Sequence, residues 1–213
     1  MRTFAIGDVH GCLGQLERLL QKIPADPAED TLVFIGDYID RGSESRGVVD
    51  CVLGLGETYA NVVCLRGNHE AMLLDFLEGE NEELYWMNGG WATLRNYGIL
   101  LSDSPCVRKG KIPAGHLRFF ETLRLYYETD QDLFVHAGLR PGIPLAEQFV
   151  EDMLWIRWEF IDSEADFGRR VVFGHTHFHE PLVAENKVGI DTGAVYGGRL
   201  TCVELPVLKF YQV

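Results

Sequence analysis

The chain has 213 residues, 46% of them hydrophobic, which is enough for a full core within one domain. Its formal net charge of −13 repels phosphate backbones and anionic lipid heads, which argues against non-specific binding to nucleic acid or membranes. A site for anions must therefore make its positive charge locally, with clustered arginines or bound metal ions.

The opening MRTFAIGD has an apolar part too short for a signal peptide, and no run approaches the ~18 residues of a spanning helix. Cysteines 12, 51, 64, 106 and 202 show no CxxC spacing, and Cys51 and Cys64 sit in apolar segments as reduced core thiols would. A cytoplasmic, reduced protein is expected.

TFAIG (3–7) reads as a strand, and CLGQLERLLQKI (12–23) as a helix with Leu13, Leu16, Leu20 and Ile23 on one face. TLVFIG (31–36) is a second strand, VVDCVLGL (48–55) a helix, NVVCL (61–65) a buried third strand and EAMLLDFLE (70–78) a third helix. This alternation predicts parallel crossovers, so the first half is α/β. From 79 to 125 the pattern is mixed, with the acidic run EGENEE, expected as a solvated loop or helix start, and the aromatic stretch YWMNGGWATLRNYG. A mostly helical insertion over one end of the sheet is expected there. DLFVHAG (132–138), RVVFGH (170–175), LVAENKVGIDTG (182–193) and RLTCVELP (199–206) are strand-rich, with AENK as a turn between paired strands. A parallel half followed by a more antiparallel one predicts two packed mixed sheets with helices outside, in a single domain over 1–213.

Polar clusters follow the strands. The first exits into GDVHG (7–11), the second into GDYIDRG (36–42), the third into RGNHE (66–70), and later ones into HAG (136–138) and GHTH (174–177). Sites in open α/β sheets assemble outside the carboxyl ends of strands. If these exits share one edge, Asp8, His10, Asp37, Asn68, His136 and His175 converge. Each motif alone reads blandly, as a turn, a helix cap or a satisfied core histidine; together they are not what a core requires. Carboxylate, imidazole and amide oxygen without thiolate suit manganese, iron or zinc, and six ligands suit two ions better than one.

GDVHG, GDYIDRG, RGNHE, HAG and GHT, in this order, resemble the phosphoprotein phosphatase family of calcineurin-like metallophosphoesterases. The bacterial and phage branch, which includes the bacteriophage lambda protein phosphatase, is the most similar, and IDTGAVYGGRLTCVEL resembles it too. The resemblance spans nearly the whole chain and is weakest across 79–125. It implies a four-layer α/β fold, a β-sandwich of two mixed sheets flanked by helices. It also implies that Asp8 and His10 hold a first metal, that Asp37 bridges, and that Asn68, His136 and His175 hold a second. His69 matches the general acid, Asp40 the carboxylate that orients it, and Arg41, Arg66 and Arg157 the phosphate-binding arginines. The final histidine of GHTH departs from the phosphatase pattern, so His177 stays open between a ligand of the first metal and a loop histidine. His116 and His179 match nothing and are expected at the surface.

Such chemistry asks for a strong nucleophile, cancellation of phosphoryl charge and a proton for the leaving oxygen. With no serine, cysteine or aspartate left as an obvious nucleophile, the expectation is direct in-line attack by hydroxide on the two metals, without a phosphoenzyme. The leading expectation is a manganese-dependent serine/threonine protein phosphatase, with tyrosine activity also open, acting on a phosphorylated protein or small phosphoester. The alternative is a symmetrical dinucleoside tetraphosphate hydrolase. That family commonly lacks the aspartate matching Asp40 and ends its third motif in Asp, where this chain has Glu70. Adenine stacking on Tyr85, Trp86, Trp91 or Tyr97 would serve it, although core packing of an added subdomain is the better account of those rings. A non-catalytic scaffold should show eroded ligands, and none is missing.

Overall fold

Strict alternation in four short apolar runs builds the layers. The computed structural model describes residues 2–213. In β1 (Thr3–Ile6), Phe4 and Ile6 join a core cluster under the first helices, whereas Ala5 points into a second cluster. β2 (Thr31–Phe34) repeats this, with Leu32 and Phe34 on one side and Val33 on the other. In β5 (Asp132–Val135) and β6 (Arg170–Phe173), Phe134 and Val172 enter the same second cluster while Leu133, Val135, Val171 and Phe173 face a third. Residues of period two thus divide between opposite faces, and the shared cluster is the seam between two sheets.

The first sheet has the order β10-β9-β1-β2-β3, where β3 is Asn61–Cys64, β9 is Thr201–Leu205 and β10 is Lys209–Gln212. β1, β2 and β3 are parallel, and β9 and β10 run antiparallel at the other edge. The second sheet has the order β4-β5-β6-β8-β7, with β4 Tyr126–Glu128, β7 Leu182–Val183 and β8 Lys187–Gly189. Helices α1 (Leu13–Lys22), α2 (Ser45–Thr58) and α3 (Asn68–Glu78) cover the first sheet, and α8 (Val150–Trp155) and α9 (Trp158–Ile161) lie on the second. Helix, sheet, sheet, helix is the four-layer arrangement expected.

Several details differ from the sequence reading. NVVCL is not a buried strand: β3 is an edge strand and only Leu65 beyond it is fully buried. The second half is not simply more antiparallel. Its central strands β5, β6 and β8 are parallel, and the C-terminal strands return to the first sheet. β4 and β10 carry too little alternation to be seen. Cys51 and Cys64 are only partly buried, and Cys202 is the cysteine enclosed in the core. His116 is not at the surface: Tyr97 and Asp50 hold its two ring nitrogens at 2.8 and 2.9 Å, because the helix carrying it packs inward against α2. His179 is exposed as expected.

Residues 79–125 fold into α4 (Glu82–Tyr85), a π-helical turn (Trp86–Gly90), α5 (Trp91–Tyr97), α6 (Pro105–Lys111) and α7 (Ala114–Thr122). They pack on α2 and α3, and the acidic run mainly forms the end of α3 and the start of α4. Among the described residues no helix is long and apolar enough to cross a membrane.

Phe134 is the largest of the buried side chains in the seam, at 0% exposure. Phe134→Ala is expected to lower the unfolding free energy by about 3–5 kcal/mol, read by urea denaturation.

Candidate active site

Five strand exits do meet on one edge, and backbone hydrogen bonds stitch them together. The amides of Val9 and His10 both donate to the Asp37 carbonyl, at 3.0 and 2.8 Å, and the Gly174 amide donates to the His136 carbonyl at 2.8 Å. Glu70, in the first turn of α3, accepts backbone N–H groups from Gly67 (3.0 Å), Asp37 (2.9 Å), Tyr38 (2.9 Å) and Ile39 (3.4 Å). Burial and the charge of Asp37 push the Glu70 carboxyl up, but each of these contacts is a donor, so Glu70 acts as a carboxylate here. The approach is close. A Cβ at Gly67 would overlap the Asp37 carboxylate, and one at Gly174 would overlap that of Asp8.

The backbone is strained where the polar groups gather. His10 (φ 45°), Asp37 (53°), Asp40 (73°), Arg41 (65°) and His175 (61°) all lie in the left-handed region, which non-glycine residues rarely occupy.

Asp37 stands at the centre. Its Oδ2 lies 3.4 Å from His10 Nε2 and its Oδ1 3.5 Å from His136 Nε2, so it belongs to one cluster with His10 and His69 and to a second with His136 and His175. Two backbone carbonyls fix the tautomers. His10 Nδ1 is 2.8 Å from the Ile39 oxygen and His136 Nδ1 is 2.9 Å from the Ile35 oxygen, so each neutral ring spends its one N–H there. Both Nε2 lone pairs then face the Asp37 carboxylate, and that of His10 also meets the Arg41 guanidinium. Burial makes these rings neutral, lowering His10 to about 3 and His175 to about 2 and bringing His136 down as well.

Acceptors that face acceptors call for cations. Asn68 Oδ1 adds to the arrangement, 3.0 Å from His136 Nε2 and 2.9 Å from His175 Nδ1. Asp8 Oδ1 and His175 Nε2 are buried without a partner, which fits ligand atoms. Burial, then the carboxylates of Asp191 and Asp37, raise Asp8 well above the usual range, a crowding of negative charge that divalent ions would relieve. The donor set is of a kind that could hold metal ions.

The other expected residues divide. His69 Nδ1 is 2.7 Å from Asp40 Oδ2, both fully buried, and its Nε2 has no partner. His69 also falls within the cluster of His10 and Asp37, so geometry alone would let it ligate; Asp40 on its far nitrogen is compatible with either role. Arg41 contacts His10 Nε2, and Arg157 lies near enough to His136 and His175 to lower both. Arg66 is placed differently, with one guanidinium nitrogen donating to the Glu121 carbonyl at 3.1 Å. His177 is exposed against Tyr196, outside both clusters.

Two cavities flank the centre. One, about 650 Å³, is lined by Phe149, Trp155, Arg157 and Trp158 among others, and the Trp155 ring stands edge-on to His175 at 5.9 Å. The other, about 610 Å³, is lined by His177, Tyr196 and Arg199 among others, and the Arg41 guanidinium lies 5.6 Å from the Tyr196 ring. Tyr85 and Tyr97 are buried, as core packing requires, and closed to any ligand, while Trp86 and Trp91 are exposed. Sequence reading missed Asp191, a buried carboxyl pushed up to about 6 by burial and then by Asp37. Its only signal was the IDTG turn after an apolar run.

The sequence profile of the family described as "Calcineurin-like phosphoesterase" matches residues 1–179. A serine/threonine-protein phosphatase 1 of Salmonella typhimurium is 31% identical, over 95% of this chain and 91% of that protein. An asymmetrical bis(5'-nucleosyl)-tetraphosphatase PrpE of Bacillus thuringiensis is 29% identical, over 100% of this chain and 94% of that protein. A crystal structure provisionally described as a diadenosine tetraphosphatase superposes with a TM-score of 0.76 at 25% identity, over 100% of this chain and 92% of that one. A cold-active protein tyrosine phosphatase shares the fold, with a TM-score of 0.71 at 18% identity, over 95% and 73% of the two chains.

Glu70→Gln replaces one acceptor oxygen with an amide that faces N–H groups. It is expected to lower the unfolding free energy by about 2–4 kcal/mol in urea denaturation and to weaken metal binding measured by calorimetry.

Proposed function

The chain belongs to the calcineurin-like phosphoesterase family and is a hydrolase of phosphoester bonds, and from that premise we propose a manganese-dependent phosphatase acting on phosphoserine and phosphothreonine. One observation carries the metal-dependent part. Backbone carbonyls occupy the N–H groups of His10 and His136, leaving two lone pairs turned to the one carboxylate of Asp37. Asp8, His10 and Asp37 would hold one ion, and Asp37, Asn68, His136 and His175 the other. When bound, two divalent ions supply an activated water and neutralise phosphoryl charge.

The chain's own residues do the rest. Arg41 lies against His10 and the charge of Arg157 reaches His136 and His175, and their forked donors match phosphoryl oxygens in a way that lysine does not. Arg66, beside the third strand exit, would complete the clamp on turning from Glu121. His69 gives the proton on Nε2 to the departing oxygen while Asp40 holds Nδ1. Since His69 and Asp40 are shut away from water, that proton passes within the site. In-line attack without a phosphoenzyme follows, because the nucleophile is water. The exposure of His177 beside Tyr196 supports leaving it out of the ligand set.

A second reading draws on the paired cavities. Aromatic rings line both, one beside His175 and the other beside Arg41, and the pair would seat the two bases of a dinucleoside polyphosphate. The 29% identical tetraphosphatase supports it. The products would identify the cleaved bond, ADP alone from symmetrical cleavage and AMP with ATP from asymmetrical cleavage.

Stripping metal should abolish p-nitrophenyl phosphate hydrolysis, with manganese restoring it, and Asp37→Asn should lose both turnover and paired metal binding by elemental analysis. His69→Asn should lower turnover most for poor leaving groups while metal content holds; loss of metal would instead make His69 a ligand. Phosphopeptides and diadenosine tetraphosphate assayed side by side separate the readings. Faster phosphopeptide turnover supports the first. A kcat/KM for diadenosine tetraphosphate that exceeds it and falls about tenfold in Trp158→Ala supports the second.

A further inference from the structure

We propose that Tyr85 and Thr93, both supplied by the helical insertion, are positioning residues for the His69–Asp40 pair, so that the insertion governs how well poor leaving groups are expelled. The inference rests on His69 acting as the proton donor. It bears most on a phosphopeptide, whose alkoxide leaves poorly, and less on a dinucleoside polyphosphate, whose leaving group is a phosphate oxygen.

Asp40 has two carboxylate oxygens and both are taken. Oδ2 faces His69 Nδ1 at 2.7 Å, and Oδ1 accepts the Tyr85 hydroxyl at 2.8 Å and the Thr93 hydroxyl at 2.5 Å. All four residues are 0% exposed, so no bulk water can replace a missing donor. Thr93 also acts on the backbone: its oxygen accepts the Asp40 N–H at 2.9 Å, as Ser45 does at 3.0 Å. That residue sits at φ 73°, a conformation that surroundings must impose. One threonine therefore holds both the strained backbone and the side chain of the carboxylate.

Tyr85 is seated with equal definition. Its ring packs on Phe76 of α3, with centroids 5.2 Å apart, and on Gly90, where a Cβ would come within 2.6 Å of the ring. From the same π-helical turn the Gly89 carbonyl accepts the Arg41 N–H at 3.1 Å. The insertion thus touches Asp40 and its neighbour Arg41 together.

The consequence is geometric. In the proposed step, the P–O bond breaks with its electron pair going to the leaving oxygen, and that oxygen takes the proton from His69 Nε2. The ring ends neutral, with its remaining N–H still on Asp40. Transfer needs Nε2 aimed at the oxygen, and the ring is aimed only as well as Asp40 is fixed. Without the Tyr85 hydroxyl, Oδ1 keeps one donor and the carboxylate gains freedom to rotate.

The test uses the manganese-loaded enzyme with phosphate esters graded by leaving-group acidity. Tyr85→Phe keeps the buried ring. Its kcat should fall about tenfold for alkyl phosphates, the effect of one charge-assisted hydrogen bond, and far less for p-nitrophenyl phosphate, with KM steady. Thr93→Val should behave likewise, and Thr93→Ser should recover. A second readout needs neither turnover nor metal: the downfield proton resonance of His69 Nδ1–H, assigned by its loss in His69→Asn, should move or broaden in Tyr85→Phe. Equal losses for good and poor leaving groups, or an unmoved resonance with unchanged kcat, would overturn the proposal. If His69→Asn depends on the leaving group and Tyr85→Phe does not, only this inference fails; if neither does, the acid role of His69 fails with it.

Discussion

Four backbone N–H groups from two separate loops converge on the carboxylate of Glu70, and the geometry of the site depends on that convergence. One loop leaves β2 and carries Asp37; the other opens α3 and carries Asn68 and His69. A buried carboxylate needs donors, and unpaired amides in a turn need an acceptor, so each satisfies the other. Glu70 also supplies the acidic residue of the first turn of α3, where the helix dipole favours it. A single side chain thus starts a helix and fixes two strand exits at ligand distance.

The strain at the site follows from that constraint. Asp37, Asp40 and Arg41 share the loop that Glu70, Ser45 and Thr93 grip, and all three are left-handed. Such conformations persist where surrounding contacts over-determine them. Here they turn the side chains of one loop toward different groups: Asp37 to the imidazoles, Asp40 to His69 and Arg41 to His10.

Charge is arranged at two scales. The chain as a whole carries −13, yet the centre sets neutral imidazoles and arginines around a few buried carboxylates. Buried charges are screened less than surface ones, so the local arrangement decides what binds. Divalent ions fit that centre because Asp8, Asp37 and Asp191 crowd negative charge that the neutral rings do not offset. The aromatic cavities on either flank then add shape to a site whose charge is already defined.

Much of this was legible in the order of residues. Alternation in TFAI, TLVF, DLFV and RVVF marked strands with two buried faces, and the polar groups after them marked one reactive edge, because side-chain period and strand direction are local properties. The edge position of NVVC, the return of the C-terminal strands to the first sheet and the burial of His116 depend on which segments become neighbours, which no local pattern encodes. The same holds for Tyr85 and Thr93, 45 and 53 residues beyond Asp40, whose hydroxyls read as ordinary core or surface groups until packing brings them to its carboxylate. Residue order specified the candidate ligand types and their succession; packing settled which lone pairs are spent on backbone carbonyls and which face Asp37, because hydrogen-bond partners are set by distance in space.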